Sequence, residues 1–240
     1  MVVAADSAAR ARLAFPLDYA SLAEARAGAE RVCAAVGVLK IGLELFVREG
    51  PPALKLAAEL GCAAFLDLKL HDIPETVSRA VASACQLGAQ YLTVHASAGP
   101  RVLEAAVRSA ERERTGLRLL AVTVLTSSDQ ADLEAAGVTD APAAQVLRLA
   151  RLAERAGVPG LVCSALELEL LREEFGRDLL LVTPGIRPAG AALGDQKRTA
   201  TPADAIRAGA DLLVVGRPIR DSADPLAAAM AVVREIESVQ

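Results

Sequence analysis

Short unbroken apolar runs alternate along the chain with longer Ala-, Leu-, Arg- and Glu-rich segments of helical period. The runs occupy residues 13–17, 38–41, 63–68, 91–94, 117–125, 160–163, 179–182 and 212–215, eight in all. They are continuously apolar and do not alternate with polar residues, the pattern of strands covered on both faces. The punctuation between them agrees. Ser21 with Glu24 and Ser164 with Glu167 have capping-box spacing, and Thr201-Pro202 and Asp224-Pro225 put a cap residue before a first-turn proline. Gly37, Gly61, Gly88, Gly157 and Gly209 each close a helical stretch ahead of a strand, where a left-handed C-terminal cap is expected.

Eight β/α units without a break in composition predict an α/β fold, a TIM-type (β/α)8 barrel, with an open doubly wound sheet as the alternative. The whole of 1–240 reads as one barrel domain, with residues 1–10 as a short frayed tail. The longest irregular stretch, 184–200, follows the seventh run, and loops of that length often carry function.

Composition narrows what such a barrel does. Apolar residues make up 53 % of the chain, enough for a large core, yet no apolar run reaches the roughly 18 residues of a membrane span. The first ten residues lack the basic-then-apolar order of a signal peptide. A net charge of −4 with no basic block, and an aromatic content of 2 %, argue against nucleic acid as a partner. Cys33, Cys62, Cys85 and Cys163 lack C-x-x-C spacing and stand among apolar residues, which predicts reduced, buried thiols and a cytoplasmic protein. With His71 and His95 the only histidines, there is little material for a zinc site.

In a barrel of this type the active site gathers at the C-terminal ends of the strands. Polar residues there are Asp18 after the first run, Lys40 in the second, Asp67, Lys69 and Asp72 in and after the third, Thr126 after the fifth, and Gly216-Arg217 after the eighth. Side chains two apart on a strand share a face, so Asp67 and Lys69 should point together into the barrel mouth. Asp72 follows in the loop, and Lys40 on the neighbouring strand completes a row of alternating sign. A buried ion-pair network is a poor source of stability, so the row points to work on a ligand. A second cluster joins Arg187, the stretch from Asp195 through Gln196 and Lys197 to Arg198, and Gly216-Arg217. Loops after strands seven and eight commonly hold phosphate; Gly216 would admit backbone N–H groups and Arg217 would offer a fork.

With these motifs in order the chain resembles the orotidine 5′-monophosphate decarboxylase family over nearly its whole length. The likeness rests on LKIG at 39–42, FLDLKLHDIPET at 65–76, VHAS at 94–97, LTS at 125–127, TPGIR at 183–187, GDQKR at 194–198 and VGRP at 215–218. The resemblance implies cofactor-independent loss of CO2 from orotidine 5′-monophosphate to give uridine 5′-monophosphate, the last step of de novo pyrimidine nucleotide synthesis, with no metal. It implies a homodimer in which Lys40, Asp67 and Lys69 of one chain work with Asp72 of the other, Lys69 being the proton donor. Asp18 and Lys40 would hold the ribose hydroxyls, and Thr126 and Ser127 would lie near the pyrimidine ring. Gln196, Gly216 and Arg217 would hold the phosphate with Arg187 beside them, while Ile73 and Thr76 of the second motif join the substrate-binding set.

Two positions depart from the family's pattern. Ala98 stands where many members have a small glycine after His-Ala-Ser, and Phe15-Pro16 replaces small aliphatic residues before Leu17-Asp18. Pro16 has no N–H and is expected to weaken one ladder bond beside Asp18. The keto-gulonate phosphate decarboxylases share the D-x-K-x-x-D segment but are expected to carry a metal-binding glutamate where this chain has Lys40. A non-catalytic nucleotide-binding barrel is the rival of another class, and the intact charged row argues against it.

Overall fold

The computed structural model describes residues 7–188 and 200–239. Eight parallel strands close into a barrel in chain order: β1 (Leu13–Pro16), β2 (Val38–Gly42), β3 (Ala63–Leu70), β4 (Tyr91–His95), β5 (Arg118–Val122), β6 (Gly160–Val162), β7 (Leu180–Thr183) and β8 (Leu212–Val214), with β8 pairing back onto β1. Helices between the strands form the outer layer, so every strand is covered on both faces, and this is why the runs read as continuously apolar. The open-sheet alternative is excluded by the closure. Among the described residues no helix is long and apolar enough to cross a membrane.

Strand parity sorts the core into two bodies. Leu13, Phe15, Leu39, Ile41, Leu66, Leu92, Leu119, Ala121, Leu161, Leu181 and Leu213 face the helices. Ala14, Val38, Phe65, Leu120, Val182, Leu212 and Val214 fill the barrel's inside. The inward parity of β2 runs from Val38 to Lys40 and that of β3 from Phe65 to Asp67, so the same alternation that plugs the barrel carries charge to its upper rim.

Several expected details hold and others change. Thr201 and Asp224 accept from the N–H groups of Asp204 and Ala227 at 3.1 and 3.0 Å, and the Ser164/Glu167 box closes on a short 3-10 turn. Gly61, Gly88, Gly157 and Gly209 have positive φ, whereas Gly37 does not. Gly37 is needed for room: a Cβ there would stand 2.7 Å from the Ala11 Cα and the Arg10 carbonyl oxygen. The fifth strand ends at Val122, not at Leu125; Val124 and Leu125 are apolar because they line the cavity described below. The expected frayed start is docked from Ser7 on: helix Ser7–Ala11 buries Ala9 completely, and the Arg10 Nε donates to the Val36 carbonyl at 2.9 Å. Cys62, Cys85 and Cys163 are buried but Cys33 is only half-buried, and all four thiols are free. Burial pushes the Cys163 thiol up to about 12.

Pro16 sits where its missing N–H costs little. Ala14 faces β8, accepting from the Val215 N–H at 3.0 Å, and residues two apart on a strand face the same way. The β1–β8 pairing stops at Ala14 and Val214, just before the proline would have to donate. On the other side the ladder continues undisturbed, with the Leu17 N–H donating to the Lys40 carbonyl at 2.8 Å.

Candidate active site

A cavity opens at the C-terminal ends of the strands. Its floor and walls are apolar, from Phe65, Val122, Val124, Val162, Val182 and Val214, and its charged lining is Asp18, Lys40, Asp67, Lys69, Arg187 and Arg217. An apolar pocket with a few convergent polar groups is the usual form of a small-molecule site.

Asp67 is the centre of the charged row. Its two carboxylate oxygens accept from the Lys69 ammonium at 2.8 and 2.9 Å, and the Lys40 ammonium lies 3.3 Å from Oδ2. Lys40 also stands 3.8 Å from the half-exposed carboxylate of Asp18. Gly42 leaves room for this pair, since a Cβ there would meet the Lys40 Nζ at 3.3 Å. Burial alone would raise the Asp67 carboxyl. The ammonium groups of Lys40 and Lys69, with hydrogen bonds from Lys69 and Thr93, outweigh it and hold the carboxyl below the usual carboxylate range. Asp67 is therefore ionised at neutral pH although only 9 % of its surface is exposed.

Lys69 reaches the rim by a different route from simple alternation. Leu66 pairs with Leu92 and Leu70 with Val94, so the register of β3 against β4 slips between them. Within that slip Lys69 has φ of +51°, one of two non-glycine residues in the left-handed region among the described residues. A side chain there costs about 1–2 kcal/mol. Strain of this kind collects at functional sites, where surrounding contacts hold it. The Lys69 N–H donates to the Thr93 hydroxyl at 2.8 Å, and that hydroxyl donates to Asp67 Oδ1 at 3.0 Å. Thr93 escaped the sequence reading. Its only signal was a polar residue at inward parity in an apolar strand, between Tyr91 and His95.

The other expected residues divide cleanly. Thr126, Gly216, Arg187 and Arg217 line the cavity with the charged row. Arg187 is buried, its Nη1 donating to the Ile186 carbonyl at 2.9 Å, and Arg217 is exposed at the mouth. Gly216 has φ of −101°, so its need for glycine is spatial: a Cβ would come 2.9 Å from the Pro16 ring. Ser127 is exposed beside Thr126 and does not line the cavity. Asp72, Ile73 and Thr76 are exposed and also stand outside the lining; the Asp72 carboxylate caps the Ile73 N–H at 2.6 Å. Within one chain, then, the expected row of four is a row of three. Asp195, Gln196, Lys197 and Arg198 lie outside the described residues.

The two histidine rings stack obliquely beside Lys69, with centroids 5.5 Å apart. Burial, then His71 and Lys69, lower the His95 imidazole from its ordinary value, which keeps it neutral at physiological pH. Among the described residues no group of three or more His, Cys, Asp or Glu side chains stands close enough to hold a metal ion. Chemically, the cavity offers a fixed ammonium, an ionised buried carboxylate beside it, and two arginines across an apolar chamber.

Comparison with known proteins covers almost the whole barrel. The profile of the family described as "Orotidine 5'-phosphate decarboxylase / HUMPS family" matches residues 11–232. A protein of Anaeromyxobacter sp. (strain K) named orotidine 5′-phosphate decarboxylase is 56 % identical over 221 residues, covering 92 % of this chain and 96 % of that relative. One of the same name from Chromohalobacter salexigens is 49 % identical over 224 residues, covering 93 % and 95 %. The crystal structure of orotidine 5′-phosphate decarboxylase from Lactobacillus acidophilus is similar with a TM-score of 0.81 at 34 % identity, covering 94 % of this chain and 99 % of that one.

Proposed function

Because the chain belongs to the orotidine 5′-phosphate decarboxylase / HUMPS family, we propose how its residues divide the work of one reaction, the decarboxylation of orotidine 5′-monophosphate to uridine 5′-monophosphate in pyrimidine synthesis. The observation that carries the assignment is the Lys69 ammonium clamped on an ionised, buried Asp67, with Lys40 on its other side, at the rim of the barrel. Lys40 also favours the orotidine 5′-phosphate decarboxylase side of the family, since the related sugar-phosphate decarboxylases are expected to carry a metal-binding glutamate there.

In the reaction the bond from the ring carbon to the carboxylate breaks and its electron pair stays on that carbon, where no neighbouring carbonyl can delocalise it. The Lys69 ammonium stabilises the developing charge and then transfers its proton to the carbon. Asp67 crowds the substrate carboxylate, but two like charges about 4 Å apart cost only about 4 kcal/mol at an effective dielectric near 20. Enzymes lower barriers by about 8–23 kcal/mol, so repulsion is the smaller part and the preorganised ammonium the larger. Asp18 and Lys40 hold the ribose hydroxyls, and Thr126 with the apolar wall receives the ring, with Ser127 next to it. Arg187, Gly216 and Arg217 take the phosphate, joined by Gln196 from the loop.

Asp72 completes the row from a partner chain, with Ile73 and Thr76 carried alongside it in a homodimer. Support comes from the exposure of Asp72 away from its own cavity and from the large apolar residues left bare nearby in the barrel order. Ile73 is 65 % exposed after β3, and Leu43 and Val47 are 54 % and 79 % exposed after β2. We place the reaction in the cytoplasm, where free thiols are kept reduced.

Purified protein should convert orotidine 5′-monophosphate to uridine 5′-monophosphate and CO2, one for one. Arg217→Ala should lower kcat/KM for this substrate by at least about 100-fold, the worth of charge-assisted hydrogen bonds to phosphate. It should barely alter the slow reaction of the unphosphorylated nucleoside, because the lost contact is remote from the ring. Equal losses on both substrates would make Arg217 a structural residue.

A further inference from the structure

Between the pairs Leu66/Leu92 and Leu70/Val94, three residues of β3 (Asp67, Leu68 and Lys69) stand opposite Thr93 alone. One facing residue cannot offer main-chain partners to three. The Lys69 N–H therefore turns to the Thr93 side chain, 2.8 Å away, and the hydroxyl passes its own hydrogen to Asp67 Oδ1 at 3.0 Å. Thr93 has no accessible surface and does not line the cavity, so it touches no ligand. We propose that Thr93 is a positioning residue for the decarboxylation: its hydroxyl staples the left-handed backbone of Lys69 to the Asp67 carboxylate and so sets where the Lys69 ammonium stands.

The direction of each bond makes the staple specific. A hydroxyl has a single hydrogen, and here it is aimed by accepting from one group and donating to another. Because the lysine's ammonium spans both oxygens of Asp67, turning that carboxylate would move the ammonium with it. Valine has threonine's shape but would leave the Lys69 N–H without this acceptor and Asp67 without one of its donors. The backbone at φ +51° would then lose the contact that holds it. Groups that orient a reacting side chain without touching substrate typically matter 10–100-fold, and a misplacement of about 1 Å costs on the order of 100-fold. The inference rests on Lys69 being the proton donor.

The test compares Thr93→Val, Thr93→Ser and Lys69→Ala with the wild-type enzyme, using orotidine 5′-monophosphate as substrate and uridine 5′-monophosphate as the binding probe. Folded protein is counted by binding stoichiometry. Thr93→Val should lower kcat about 10–100-fold with the Kd of the product within about threefold. Thr93→Ser, which keeps the hydroxyl, should recover kcat to within about fivefold of wild type. Should the valine variant fail to fold, Thr93→Ala is the smaller hydroxyl-free variant and is read in the same way. Unchanged kcat in the folded hydroxyl-free variant, or a serine variant as slow as it, would overturn the staple. A fully active Lys69→Ala would instead overturn the assignment of the lysine, and the two failures are thereby told apart.

Discussion

Lys69→Ala is expected to lower turnover of orotidine 5′-monophosphate by at least about 10⁴-fold while uridine 5′-monophosphate still binds within about tenfold of wild type. The size follows from two contributions lost together. A positioned proton donor is worth about 10²–10⁴-fold, and a preorganised charge facing a developing anion about 10²–10³-fold. Binding should survive because the arginines and the apolar wall are untouched, and because the lysine's ion pair is with Asp67 of its own chain. One cost accompanies the change: Asp67 keeps Lys40 at 3.3 Å but loses its closer partner. Its carboxyl should then be less strongly held below the ordinary range. A variant with weakened binding and near-normal turnover of bound substrate would assign Lys69 to recognition.

The second large effect is a gain. If Asp72 serves the partner's site, each symmetric dimer holds two composite sites. Lys69→Ala and Asp72→Asn proteins, each nearly inactive alone, should then complement one another. A mixed dimer has one site that lacks both groups and one that lacks neither. Equal amounts that reassort freely make half of the dimers mixed, and half of the sites in those are intact. Activity should recover to about a quarter of wild type for independent sites in a two-fold dimer. Subunit exchange is checked separately, with a mass-labelled chain. A mixture that exchanges and stays inactive would return Asp72 to its own chain, where the exposed carboxylate capping the Ile73 N–H would need another explanation.

The barrel was legible because burial on both faces leaves unbroken apolar runs, and eight of them at regular spacing admit few folds. What parity along a strand decides, the chain also showed: Lys40 and Asp67 face inward for the same reason as Val38 and Phe65. Features that depend on pairing between distant segments were hidden. The slip of β3 against β4, the left-handed Lys69 and the role of Thr93 are one nonlocal event, and no local pattern in the segment 65–72 announces it. The overlong fifth strand is the converse error, since Val124 and Leu125 are apolar to line a cavity and a one-dimensional reading takes them for strand. Gly37 was assigned a turn when it answers to the close approach of Ala11, which is again a contact far apart in sequence. Ile73 and Thr76 were named through resemblance alone, while Asp72 was read from the loop after the third run, and the single chain leaves all three outside its cavity.

The claim that the Lys69 ammonium delivers the proton to the ring carbon is tested most directly at that carbon. Proton transfer in the forward direction has the same path in reverse, so bound uridine 5′-monophosphate should slowly exchange the hydrogen at the decarboxylated position with solvent. Wild-type enzyme incubated with this nucleotide in deuterium oxide should place deuterium there, as read by NMR. Lys69→Ala at saturating nucleotide should place none above the enzyme-free rate. Exchange at the wild-type rate in Lys69→Ala would mean that another group carries the proton, and would contradict the account.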